Sequence, residues 1–141
     1  PISCHYFAAE DSPLEYPVIA LDGDRSGPIN NLAVMSDVAS GYAPPGAALI
    51  AAAVLDPVTP VAEVRGQLTA WFGPVAGDWQ LLRSYVIPHA QPVPAAPFTA
   101  ALPARFSPGV YLAGDHRATP SINGALLAGR RAATAVLEDL D

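Results

Sequence analysis

Short apolar runs separated by turn-forming residues mark the first half of the chain. His5–Ala9, Val18–Leu21, Asn31–Met35 and Ala48–Leu55 are set off by Asp-Ser-Pro, Asp-Gly-Asp, Gly-Pro and Ala-Pro-Pro-Gly. Runs of this length between such residues predict strands. Their spacing of about ten to fifteen residues suits hairpins of an antiparallel meander rather than parallel units with helical crossovers. A sheet with one strongly buried face follows.

The period then changes. Val61, Val64, Leu68, Trp71 and Phe72 recur at three- and four-residue intervals and predict a helix over 60–72. Thr59 is placed to cap it, Pro60 at its first position, Glu63 in its first turn and Gly73-Pro74 at its end. Trp79–Val86 reads as a strand, or as a short helix leading into one. Ile87–Pro97 holds four prolines in eleven residues. That is too many fixed φ angles and missing donors for a regular element, so it reads as a crossover. Gly109–Ala113 predicts a short buried strand, and Asn123 to about Leu140 a helix. Small residues at 125, 128, 129, 132 and 133 let that helix approach a sheet closely, and its wide apolar surface predicts burial.

Composition narrows the function classes. A chain of 141 residues suits one compact domain. Hydrophobic residues make up 51% and charged residues 14%, the latter below the usual quarter, which points to apolar surface that a partner domain covers. The net charge is −6 and all seven basic residues are arginine. That balance argues against nucleic acid and against a polybasic membrane patch. Cys4 is the single cysteine, which excludes an intrachain disulfide and suits a reducing cytoplasm, with peripheral membrane association left open. The longest apolar run, Ala47–Leu55, is too short to span a bilayer. The amino terminus lacks the charged-then-apolar pattern of a signal peptide. His5, His89 and His116 have no partners at ligand spacing, so no metal site is expected. No Gly-x-Ser-x-Gly marks a nucleophilic serine.

The chemistry concentrates between Gly109 and Leu137. A strand ends in the turn Gly114-Asp115, a polar loop follows, and a helix opens on Asn123-Gly124-Ala125. A strand feeding a helix amino terminus brings free backbone N–H groups and the positive end of the helix dipole to one point, a site for an electron-rich group. The Gly124 and Ala125 amides are the expected donors, with Gly124 leaving room for a planar ring. The same residues also permit a plainer account. Gly-Asp makes ordinary turns and Ser121 or Asn123 makes an ordinary cap. Arg130 and Arg131, about two turns into the helix, suit salt bridges rather than the site. Arg117 and His116 lie closer, in the loop.

Tyr111-Leu-Ala-Gly-Asp115 followed by Thr119-Pro-Ser-Ile-Asn-Gly-Ala125, Gly129-Arg-Arg and Ala132-Ala133 is similar to the carboxy-terminal flavin-contacting motif of the FAD-dependent amine oxidase, phytoene desaturase and protoporphyrinogen oxidase superfamily. The loop Arg117–Ser121 is closer to desaturase-type sequences. Asn30-Asn31, Gly41–Gly46 and Tyr85-x-Ile-Pro88 fit the same type of bacterial protein more loosely. Gly-x-Gly-x-x-Gly, the other half of that family's FAD site, is absent from the 141 residues.

The resemblance therefore implies the carboxy-terminal portion of a longer enzyme. Its expected fold is α+β. Residues 1–97 form part of a substrate-binding domain, an antiparallel sheet with one packed helix. Residues 98–141 supply the last strand and helix of a Rossmann-like FAD-binding domain. FAD is the implied cofactor, held at Gly114, Asp115, Ser121, Ile122, Asn123, Gly124 and Ala125, with no catalytic residue assignable and little retention by this portion alone. The implied reaction dehydrogenates or desaturates an apolar small molecule by hydride transfer to flavin. The implied partners are the amino-terminal FAD-binding portion of the same protein and that substrate, with a homodimer compatible. The competing expectation is a non-catalytic interaction domain or subunit that docks through apolar surface, or one that completes an FAD site in trans.

Overall fold

The computed structural model describes residues 1–93 and 101–140. It divides into two compact units, Pro1–Ala90 and Gln91–Asp141. The architecture is α+β with an antiparallel main sheet.

The first unit holds strands β1 (Ile2–Ala9), β2 (Ile19–Leu21), β3 (Ile29–Val34), β4 (Ala48–Val54) and β5 (Gln80–Ile87). They form one sheet in the order β2-β3-β4-β1-β5, antiparallel throughout. The expected meander holds only for β2-β3-β4. β1 lies between β4 and β5 instead of at an edge, paired antiparallel on both sides with strands that come later in the chain. Phe7, Leu32, Val34, Ile50, Ala52 and Val54 all point to one face and are buried. A one-residue slip would turn that set outward, so this alternation fixes the register.

The helix α2 (Val61–Phe72) covers this face with Val64 and Leu68, which are fully buried. Its amino end differs from expectation. Pro60 rather than Thr59 occupies the cap position, with no side-chain cap. The Pro60 carbonyl accepts from the Glu63 and Val64 amides, and a β-region cap residue suits the fixed φ of proline. The helix ends as expected at Gly73, whose φ of 80° favours glycine. Gln67 is buried on the same face. Its Oε1 accepts from the Ile29 amide at 2.7 Å and its Nε2 donates to Asp22 at 2.9 Å, pinning the loop before β3. Arg65 donates to the carbonyls of Gly77 and Trp79 at 2.7 and 2.8 Å and stacks over Phe7. A short helix α1 (Met35–Val38) follows β3.

The second unit holds β6 (Arg105–Ser107), β7 (Val110–Tyr111) and α3 (Ile122–Leu140). The expected buried strand over Gly109–Ala113 is only two residues long, and Val110 is exposed. It pairs antiparallel with β6 in a hairpin. No parallel pairing is present among the described residues. A parallel strand needs neighbours reached through long crossovers, and the described part of this unit supplies only the local hairpin. Arg105 ties the hairpin to the last turn of α3 through Glu138 and Asp139 at 2.8 and 2.9 Å, and the Tyr111 hydroxyl donates to Asp139 at 2.6 Å. Arg105 and then Tyr111 hold the Asp139 carboxyl below its ordinary value. The proline-rich stretch expected as a crossover lies partly outside the described residues, at 94–97.

Candidate functional site

The start of α3 is built from its own loop. Leu112 donates to the Ala104 carbonyl, which ends the hairpin, and the chain then bends at Gly114. Gly114 has φ 140°, and a Cβ there would stand 2.7 Å from the His116 ring. The positive φ demands glycine, while the exposed His116 side chain is free to turn away from a Cβ. Asp115–Arg117 form a single 3-10 turn. The Asp115 carboxylate makes no hydrogen bond with a described residue. Arg117 closes the loop, with Nη2 donating to the Pro103 carbonyl at 2.8 Å and its own carbonyl accepting from Leu102 at 3.0 Å.

Ser121 caps α3. Its Oγ accepts from the Gly124 amide at 3.0 Å and its carbonyl from the Ala125 amide at 2.9 Å. The two amides expected to face a ligand are therefore used inside the chain. The amides of Ile122 and Asn123, one step earlier, have no partner among the described residues. A helix leaves its first N–H groups unsatisfied, and a cap that serves only the third exposes the first two. Gly124 also has a local cause. A Cβ at this position would collide with the Thr119 carbonyl oxygen, so the loop packs against the bare Cα and leaves no room there for a ring.

Ser121–Ala125 thus form the start of α3, Gly114 and Asp115 form the separate bend before it, and the free donors are Ile122 and Asn123 rather than Gly124 and Ala125. The sequence offered both Ser121 and Asn123 as caps, and the cap at Ser121 engages the third and fourth amides after it. The exposed helix start keeps its dipole and two donors available to an electron-rich group. Arg131, expected in a salt bridge, forms none with a described residue and carries a buried Nη1 with no partner among them, as does Arg117 Nε. No sequence signal marked either nitrogen.

The first unit offers a different surface. The sheet face away from α2 carries Cys4, Tyr6, Ala51, Ala53 and Ala33 in register across β1, β4 and β3. These residues are only half-buried, and the alanines form a floor of low relief. Tyr6 and Tyr85 stand edge to face at 5.9 Å, and Arg83 lies over the Tyr85 ring at 5.4 Å. The Cys4 thiol beside it pushes the Tyr6 phenol above its ordinary value. On the buried face His5 bridges Ser3 and Ser84. Among the described residues no group of His, Cys, Asp or Glu is arranged to hold a metal ion, and no helix is long and apolar enough to cross a membrane.

The profile of the flavin containing amine oxidoreductase family matches residues 8–137. Among solved structures, the crystal structure of an oxidoreductase from Methanosarcina mazei is similar with a TM-score of 0.62 at 16% sequence identity. The likeness covers 97% of this chain and 33% of that one, so the chain spans a third of that structure's length. At this identity the likeness is one of fold. No curated protein matches the chain.

Proposed function

Because the chain belongs to the flavin containing amine oxidoreductase family, we propose that it is the carboxy-terminal part of an FAD-dependent oxidoreductase acting on an apolar small molecule. The observation that carries this reading is the pair of unpartnered amides, Ile122 and Asn123, at the start of the 19-residue helix α3. Two aligned donors at the positive end of a helix suit the electron-rich edge of a bound flavin, and they are worth most where water is excluded.

FAD fits this turn through particular atoms. Ile122 and Asn123 supply N–H donors, and Ser121 and Ala125 hold the helix start in place. Gly114 gives the bend that presents Asp115, whose carboxylate is available to accept from ribityl hydroxyls. Gly124 belongs to the turn as the residue against which Thr119 packs. The bound cofactor would supply the acceptor for a hydride equivalent leaving a substrate C–H or C–N centre, while the protein positions the two and excludes water.

The half-buried face of the main sheet suits the substrate. Ala33, Ala51 and Ala53 give a smooth apolar floor, with Tyr6 and Tyr85 standing at one side. The alanine floor favours an apolar molecule that undergoes dehydrogenation or desaturation, with Asn31 and Arg83 as polar groups at its margins. The amino-terminal FAD-binding portion of the same protein and this substrate are the proposed partners.

The test is visible absorbance of the whole protein containing this chain, purified and then supplied with FAD. Flavin bands that survive gel filtration and bleach when an apolar substrate is added anaerobically support the reading. A well-folded protein that leaves gel filtration colourless after incubation with excess FAD overturns it.

A further inference from the structure

Both tryptophans of the chain, Trp71 and Trp79, line one groove of about 910 Å³ in the first unit. The groove lies where the end of β1, the approach to β4 and the last turn of α2 meet, and it takes no part in the flavin reading. Its volume is in the range of small-molecule pockets. Phe72 stands between the two indoles, 6.1 Å from Trp71 at 89° and 5.6 Å from Trp79 at 34°. Trp71 and Phe72 are half-buried, so part of each ring remains open. Trp79 is only 6% exposed, and its indole N–H donates to no described residue.

Glu10, Asp11 and Asp78 also line this groove. All three are exposed, and none forms an ion pair or a side-chain hydrogen bond with a described residue. No arginine or histidine lines the groove, and the chain has no lysine. The Arg65 guanidinium, which reaches the groove residue Trp79, is held by the Gly77 and Trp79 carbonyls and the Phe7 ring. Past Glu10 and Asp11 the surface continues into a second depression lined by Asp37 and again by no cation.

We propose that this groove binds an organic cation, an alkylammonium or guanidinium group on an apolar body. The aromatic faces attract the cation through their quadrupoles and bury its apolar part. The carboxylates match its charge and raise its local concentration. The Trp79 N–H suits a hydrogen-bond acceptor on the same ligand. An anion would meet three carboxylates. A bare metal ion finds no arranged ligand set among the described residues, and it gains nothing from the rings that desolvation would not cost.

The two tryptophans make the groove its own reporter. The chain is titrated with benzyltrimethylammonium, with benzenesulfonate as an anion of similar size, and tryptophan fluorescence is followed. A saturable change with the cation alone is expected. Glu10→Gln with Asp78→Asn should weaken it by about fivefold, the loss typical of exposed charge pairs, with the far-ultraviolet circular dichroism unchanged. Trp71→Leu, which keeps Trp79 as reporter, should remove saturation. An equal response to benzenesulfonate, a response that never saturates, or undiminished affinity in the carboxylate variant would overturn the proposal.

Discussion

His5 and Ser84, 79 positions apart in sequence, are joined by a hydrogen bond of 2.8 Å between the imidazole Nδ1 and the hydroxyl. Ser3 meets the other ring nitrogen at 3.1 Å. The neutral ring donates with one nitrogen and accepts with the other, and each hydroxyl can take the complementary role. The bond fastens the edge strand β5 to β1.

Burial lowers the His5 pKa from its ordinary 6.5, because a charged imidazolium loses hydration in the core. The unfolded chain therefore binds a proton more readily than the folded one. Stability contributed by the neutral ring is complete above pH 6.5, declines as pH falls through that value, and levels off below the folded pKa. The decline cannot exceed about 1.4 kcal/mol per pH unit for one proton. Urea midpoints should fall between pH 7.5 and 5.5, conditions chosen to bracket the transition at about pH 6.5. In His5→Asn that part of the pH dependence should vanish.

Gln67 on α2 holds the Ile29 amide and the Asp22 carboxylate through one side chain. Gln67→Leu should cost about 1–3 kcal/mol, since the Ile29 amide would be buried without an acceptor. Gly27→Ala should also destabilise, because its Cβ would stand 2.5 Å from the Gln67 amide group. The two effects are coupled. In a Gln67→Ala background, Gly27→Ala should be close to neutral, and a double-mutant cycle by denaturation measures this. Additive losses would show that the contact between the two residues carries no energy.

The strands and α2 were legible because their periods match their burial. The alternation in Ala48–Val54 and the spacing of Val61, Val64 and Leu68 state which side faces the core. The strand order was not legible, since no local pattern says that β1 enters between β4 and β5. Gln67 was hidden for a similar reason: a glutamine on a helix reads as surface until the loop it holds is in place. At the candidate site the sequence located the turn but not its free donors, because it left Ser121 and Asn123 both open as the cap, and a cap at Ser121 is what consumes the Gly124 and Ala125 amides.

Thr119 also gives Gly124 a role that needs no cofactor. The Gly124→Ala methyl group would collide with a backbone carbonyl, which has no rotamer to escape by. Overpacking of this kind costs about 1–3 kcal/mol. The loss should be seen in thermal unfolding of the second unit without FAD, as well as in any change in cofactor uptake. If Gly124→Ala unfolds like the parent in the absence of FAD, the packing account of this glycine fails.

Ile122 separates the two roles of the α3 start. It occupies the first helical position after a Ser121 cap, and proline is well tolerated there because the amide it lacks is one the helix does not use. Ile122→Pro therefore deletes a candidate flavin donor and leaves the Ser121–Gly124 cap bond intact. The Ile122 side chain is 82% exposed, so little packing is lost with it. FAD affinity should fall by about tenfold, the value of one hydrogen bond to a group bearing negative charge, while circular dichroism and the unfolding midpoint stay near those of the parent. Ser121→Ala should do the reverse, fraying the helix at a cost of about 1 kcal/mol and weakening FAD only as far as the helix start loosens. Both variants are read by flavin absorbance after gel filtration, alongside unfolding. Unchanged FAD affinity in Ile122→Pro would remove that amide from the flavin site and leave Asn123 as the one remaining donor of the pair.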